Sequence, residues 1–234
     1  HTGNVKINAQ SRDQEAFGVY VHSAKPNKES GTDQGGAANF SKELNIKAVS
    51  ANSNATGIFV SGAPITDENG EVLFTSGQAS VNTSGDTTIV AAGKTASYAL
   101  NAEADGQITV GSTGKTVHLT GDIVAKNDGV INIAGKTNTI NGIVKAVDGG
   151  TVNLSGASDA IYNNININSF VTQGTGSNGS VKLNGGTMDF GTLNNQNLAS
   201  NSFVVNGGSL KAASKDIFTS ALTAAGTAID SGDV

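Results

Sequence analysis

The chain has 234 residues, 31 of them Gly, with 2 Pro, no Cys, no Trp and 5% aromatic residues, a mixture foreign to a compact globular enzyme. Its net charge is −5 and its single Arg is Arg12, which excludes the basic stripe that a nucleic-acid partner requires. The absence of Cys excludes disulfides, thiol catalysis and Cys-based metal sites, and alternating runs of Val, Ile and Leu speak against disorder.

In chain order, Asn4-Val-Lys-Ile-Asn-Ala9 and Ala16-Phe-Gly-Val-Tyr-Val21 alternate with period two and predict two strands. Glu43-Leu-Asn-Ile-Lys-Ala48 and Ala55-Thr-Gly-Ile-Phe-Val60 repeat them at a constant offset of 39 residues without a gap. A shorter third copy runs from Asp86 to Ala92 and from Ala96 to Leu100. The residues beyond a plain rung, 25–39 in the first unit and 63–86 in the second, fall at the same place, so two inserts are expected to leave one corner.

From Gly106 a shorter pattern takes over, Gly followed by any residue, apolar, polar, apolar. It places the pairs Ile108/Val110, Ile131/Ile133, Val152/Leu154, Val181/Leu183 and Leu210/Ala212 on one side of successive strands, at spacings of 23, 21, 29 and 29 residues. Strands at Thr116–Thr120, Asp122–Lys126 and Asn141–Val147 fill the intervals, which makes three strands per turn. The expected fold is therefore all-β: a right-handed parallel β-helix with three-strand rungs, one solenoid domain over residues 1–234. Roughly nine rungs at ~4.8 Å give a rod of about 45 Å. Residues 214–226 place Ile217, Phe218, Ala221, Leu222 and Ala225 at helical spacing, between Ser214 and Gly226. Helix and strand both remain open there, and 214–234 would serve as a capping segment.

Outward strand positions carry Thr109, Asn132, Asn153 and Lys182, a file of hydrogen-bonding groups that would pair with sugar hydroxyls or with a neighbouring rod, or would simply keep a long sheet soluble. Tyr20, His22 and Phe59 border the inserts and form a second candidate surface, provided that they point outward. Asp67 and Glu68, with Asn69 and Glu71, make an acidic turn that offers oxygens to calcium, although the spacing of an EF-hand is missing and a solvated turn is the simpler reading. No metal site and no cofactor is expected.

The chemistry of an enzyme is not legible. His118 alternates with Val117 and Leu119 and reads as solvent-facing, and no Gly-x-Ser-x-Gly elbow accompanies it or His22. Asp105, Asp122, Asp128, Asp148, Asp159 and Asp189 are scattered singly, without the paired carboxylates of a glycoside hydrolase. The run Gly174–Gly179 fits a dinucleotide fingerprint but leads into a strand, so it reads as a turn. Five N-glycosylation sequons are of the number expected in a chain rich in Asn, Ser and Thr.

The Gly-led runs, the turns at Asn141-Gly142, Asp148-Gly149-Gly150, Asn184-Gly185-Gly186 and Asn206-Gly207-Gly208, the lack of Cys and the Ala-x-Gly-apolar-aromatic-apolar strands together resemble the passenger domains of monomeric bacterial autotransporters. The likeness covers most of residues 4–212. It implies secretion, display on the cell surface through a membrane barrel that this stretch does not include, and a role as an adhesin. The partner would be a host-surface glycan or protein, or another copy of the chain. No nucleic acid is expected, nor insertion of this stretch into a membrane. A polysaccharide-degrading β-helix and a passive stalk carrying another domain are the alternatives.

Overall fold

A computed structural model describes residues 1–26, 36–63, 65–167, 179–191 and 203–211. These residues form strands and no helix. The first turn of the coil is made by β1 (Val5–Ser11), β2 (Ala16–His22) and, beyond the short β3 (Ala24–Pro26), β4 (Gly36–Phe40). The second repeats it with β5 (Leu44–Ser50), β6 (Ala55–Ser61) and, beyond β7 (Ile65–Thr66) and β8 (Val72–Ser76), β9 (Ala79–Thr83). β10 (Thr87–Gly93), β11 (Ser97–Glu103) and β12 (Gln107–Val110) make the third turn, and β13 (Thr116–Thr120), β14 (Asp122–Lys126) and β15 (Val130–Ile133) the fourth. Later strands bend round corners: β16 (Thr137–Ala146) supplies two sides before β17 (Thr151–Leu154), as do β18 (Ile161–Ile167), β19 (Ser180–Asp189) and β20 (Phe203–Lys211).

Seventeen strands belong to one sheet, in which every pairing is parallel. Three ladders run along it. The first side stacks β1, β5, β10, β13, β16, β18, β19 and β20. The second stacks β2, β6, β11, β14, β16 and β18. The third stacks β4, β9, β12, β15, β17, β19 and β20. The protein is a parallel β-helix, and strands inside the stack satisfy their backbone groups on the turns above and below.

The 39-residue repeat is the register itself, since Val5 lies beside Leu44 and Ala16 beside Ala55. Period-two alternation sends one set of side chains inward, and files such as Ile108-Ile131-Val152-Val181 run through the core with no exposure. Each such aliphatic side chain contributes roughly 1.5–3 kcal/mol on burial.

The Gly-led motif has a steric cause at the corner between the second and third sides. At Asp148-Gly149-Gly150 the first two residues take φ of 50° and 80°, and the Gly150 N–H donates to the Val147 carbonyl at 2.8 Å. This is a tight turn with two left-handed residues, matched to the twist of the chain. A Cβ on Gly150 would lie 2.2 Å from the Ala125 carbonyl oxygen one turn below, so only glycine lets the turns stack. Asp105 and Asp128 occupy corresponding turns, each with positive φ.

A steric demand also sits inside the Ala-x-Gly strands. The missing Cβ of Gly57 faces the core, where it would meet Ile89 Cγ2 at 2.2 Å and the Ala99 carbonyl oxygen at 2.7 Å. Gly18 stands in the same relation to Ile46, also at 2.2 Å.

Two sequence expectations are corrected. The insert bounds 25–39 and 63–86 are too wide, because β4 overlaps the end of the first and β9 lies within the second, and both are rung strands of the third side. Both carry the Gly-led motif, as Gly36-Ala-Ala-Asn-Phe40 and Gly77-Gln-Ala-Ser-Val81, and the first is in register with Gly106-Gln-Ile-Thr-Val110, since Ala38 lies beside Val81 and Val81 beside Ile108. What remains outside the coil includes a small antiparallel sheet of order β3-β8-β7, where Ala24 faces Ser76 and Ile65 faces Phe74.

The second correction concerns Leu210, which was aligned with Val181 by the motif. It lies instead beside Met188 on the first side, and Phe203 is the neighbour of Val181. The pairs Gly185-Gly186 and Gly207-Gly208 lead into the first side, whereas Gly149-Gly150 leads into the third, so one local signal serves two corners. Ala212 and the candidate capping segment 214–234 lie outside the described residues.

Candidate functional site

The candidate residues fall in three places. Thr109, Asn132, Asn153 and Lys182 are adjacent in register on the third side, and the file extends toward the N-terminus through Asn82 and Asn39. Within it the amides bond to one another. Asn82 Nδ2 donates to Asn39 Oδ1 at 3.1 Å, Asn132 Nδ2 to Thr109 Oγ1 at 3.3 Å, and Asn153 Nδ2 to Asn132 Oδ1 at 2.9 Å. Much of the file's hydrogen-bonding capacity is therefore used in tying turn to turn.

Asp67 and Glu68 lie in the turn between β7 and β8, away from that file. Asp67 Oδ1 accepts from the Asn69 and Glu71 N–H groups, each at 2.9 Å. Its carboxyl is held below the usual carboxylate range chiefly by the Glu71 N–H. This is a self-capped turn. Among the described residues no three His, Asp or Glu side chains converge to hold a metal.

Tyr20, His22 and Phe59 lie on the second side. Tyr20 and Phe59 occupy one outward file on adjacent turns and stack with ring centroids 5.0 Å apart and planes 15° apart. His22 stacks on Tyr20 at 6.4 Å, and Phe17 meets both Tyr20 and Phe59 edge-on at 5.2 and 5.7 Å. Tyr20 is 53% exposed, the most exposed large apolar side chain among the described residues.

Beside these rings is an open hollow of about 470 Å³. Register explains its shape. One outward file reads Phe17, Thr56, Tyr98 and the next reads Tyr20, Phe59, Asn101. Small Thr56 therefore sits between two rings, while Asn101 follows two rings and is too short to continue the stack. Thr56 is 3% exposed and Asn101 8%. The rim carries Glu15, Asn54, Glu103 and Lys126. Glu15 accepts from Asn54 Nδ2, and Lys126 Nζ pairs with Glu103 at 2.5 Å across adjacent turns.

Two polar atoms of this hollow are unused. The side-chain oxygens of Asn54 and Asn101 are buried and have no hydrogen-bond partner. A buried amide oxygen without a partner costs about 1–3 kcal/mol. The next residue of the Asn101 file is Val124, which packs in the same position without polarity.

The sequence pointed to Tyr20 and Phe59 but missed Phe17, Thr56, Tyr98 and Asn101. The 39-residue match contained the first two of these, and the third copy contained Tyr98. The signal that unites them is the outward column that appears when the copies are set one above another in register.

His118 is exposed on the first side, as alternation required, and Arg12 is exposed as well. A shallow hollow on that side, bordered by Lys6, Asn8, Asn45 and Lys47, carries no aromatic ring and no unpartnered buried group. Comparison with known protein families, with curated proteins and with solved structures finds no match for this chain.

Proposed function

We propose that this chain is a stretch of a bacterial surface adhesin of the autotransporter passenger type, a rigid rod that presents recognition surfaces outside the cell. The observation that carries the reading is the outward aromatic cluster of the second side. Two of the chain's three tyrosines and two of its eight phenylalanines line one hollow, in a coil where, among the described residues, Ile161 is the one other large apolar side chain left exposed. One exposed ring, Tyr20, grouped with the half-buried Phe17, Phe59 and Tyr98 marks a contact surface rather than scattered surface apolarity. The parallel β-helix, the lack of Cys and the stacked Gly-led corners support the passenger-type reading.

The test is display of the chain on a non-aggregating bacterium, with attachment to epithelial cells and clumping scored against Tyr20→Ala/Phe59→Ala. Attachment or clumping that falls several-fold in the double variant is expected. Display without either activity overturns the reading, as does turnover of a polysaccharide by the purified chain.

A further inference from the structure

We infer that the hollow over Thr56 and Asn101 is a binding site for an uncharged saccharide, which rests on the recognition reading above and gives its ligand a chemical class. Four features of the hollow support it. Its volume of about 470 Å³ lies within the ~300–1,000 Å³ of small-ligand sites. Phe17 and Tyr98 stand two turns apart in one file with Thr56 between them, a gap of about 9–10 Å at the spacing of paired strands. That gap admits one flat ring between two aromatic side chains at carbon contact distance on each side, about 3.5–4.0 Å.

The polar groups complete the description. A pyranose has an apolar face for a ring and a girdle of hydroxyls, each both donor and acceptor. Asn101 is nine-tenths buried with an unpartnered side-chain oxygen, and a half-turn about its last torsion exchanges oxygen and nitrogen. As placed the oxygen is shielded and unpartnered, so it reaches a ligand in the hollow only through that half-turn, and the protein itself makes no use of it. Thr56 lies beside it on the floor.

Charge decides between saccharides. The ionisable groups on the rim are Glu15, Glu103 and Lys126, and Lys126 is already paired with Glu103. One carboxylate is left in excess, so a uronic or sialic acid meets repulsion where a neutral hexose or N-acetylhexosamine does not.

Asn101→Ala separates this role from a structural one. If Asn101 serves a ligand, removing its unsatisfied amide leaves the melting temperature unchanged or raises it, while ligand binding weakens about tenfold, the value of one good hydrogen bond. If it serves the fold, the melting temperature falls.

The experiment is saturation-transfer NMR on the purified chain with galactose, glucose, N-acetylglucosamine and N-acetylgalactosamine as probes and glucuronate as the anionic control. Signal from at least one neutral sugar, weakened by Asn101→Ala and by Tyr98→Ala but not by Thr109→Ala on the other side of the coil, is the expected result. Equal signal from glucuronate overturns the assignment, as does signal indifferent to Asn101 and Tyr98. No sugar signal, with attachment of displayed cells still dependent on Tyr20 and Phe59, overturns the saccharide and leaves the adhesin standing. Sugar binding without attachment or clumping leaves the site standing and removes the adhesin.

Discussion

The second and third sides of this coil are built from the same alternating strands, yet their outward chemistry differs. On the third side Asn132 and Asn153 hand their amide hydrogens to the preceding turn, so the surface is polar and internally bonded. On the second side Tyr20, Phe59 and Asn101 follow one another in a column, Tyr20 exposed and Phe59 half-buried, and the Asn101 amide oxygen has no partner. A scaffold made of identical hydrogen-bonded turns can thus assign one face to holding itself together and leave another unsatisfied for recognition.

The largest expected effect tests the scaffold common to both faces. Gly57→Ala forces a methyl group against Ile89 and the Ala99 carbonyl, and a loss of about 2–3 kcal/mol is expected in urea unfolding. A loss below about 0.5 kcal/mol would mean that the turns shift easily, and the rigid-face comparison would then fail.

Tyr162 comes next. It is fully buried, donates to the Ile133 carbonyl at 3.1 Å and accepts from the Gly156 N–H at 2.6 Å. Tyr162→Phe strands both backbone groups and is expected to cost about 1–3 kcal/mol. Burial also pushes its hydroxyl from 10.0 up to about 12. Between those values the unfolded chain releases a proton that the folded chain keeps, so this contribution is whole below pH 10.0 and is lost as pH rises toward about 12. Thermal melts across that range should show the loss in the parent chain and a shallower one in Tyr162→Phe.

The comparison itself is sharpened by paired amide deletions. Asn132→Ala breaks the file on the third side and should cost about 0.5–1.5 kcal/mol, whereas Asn101→Ala on the second side should cost nothing. Equal losses in chemical denaturation would remove the distinction between a bonded face and an unsatisfied one. The smallest effect is expected at the rim, where Lys126→Met breaks a partly exposed ion pair with Glu103. Stability should change by less than about 1 kcal/mol, with a readable dependence on salt.

Much of the fold could be read from particular residues. Val5 to Ala9 and Leu44 to Ala48 announced both the alternation and the register, because an ungapped repeat in a coil means equal turns. Gly106, Gly129 and Gly150 announced a corner, since a side chain there strikes the turn below. The same logic misled at Leu210, where a Gly-Gly turn of like sequence sits at a different corner. The inserts come out too wide even though β4 and β9 carry Gly-led runs, Gly36 to Phe40 and Gly77 to Val81, because the small apolar residues Ala38 and Ala79 make a weak alternation there. For the hollow, Tyr20 and Phe59 were visible as aromatic residues at strand positions, but Thr56 and Asn101 carry no mark in a chain full of Thr and Asn.

The division follows from the range of the forces. The sequence by itself determined the period of each strand, the position of tight corners and the offset of the first two turns, since these depend on neighbours a few residues apart or on an equal repeat. Only the tertiary structure decided that Phe17, Thr56 and Tyr98 form one column, that the amides of Asn132 and Asn153 are occupied and that the oxygen of Asn101 is not. Those facts depend on side chains a whole turn apart, and the turns differ in length, so the residue that lies beside another is set by how the coil closes and not by the local pattern.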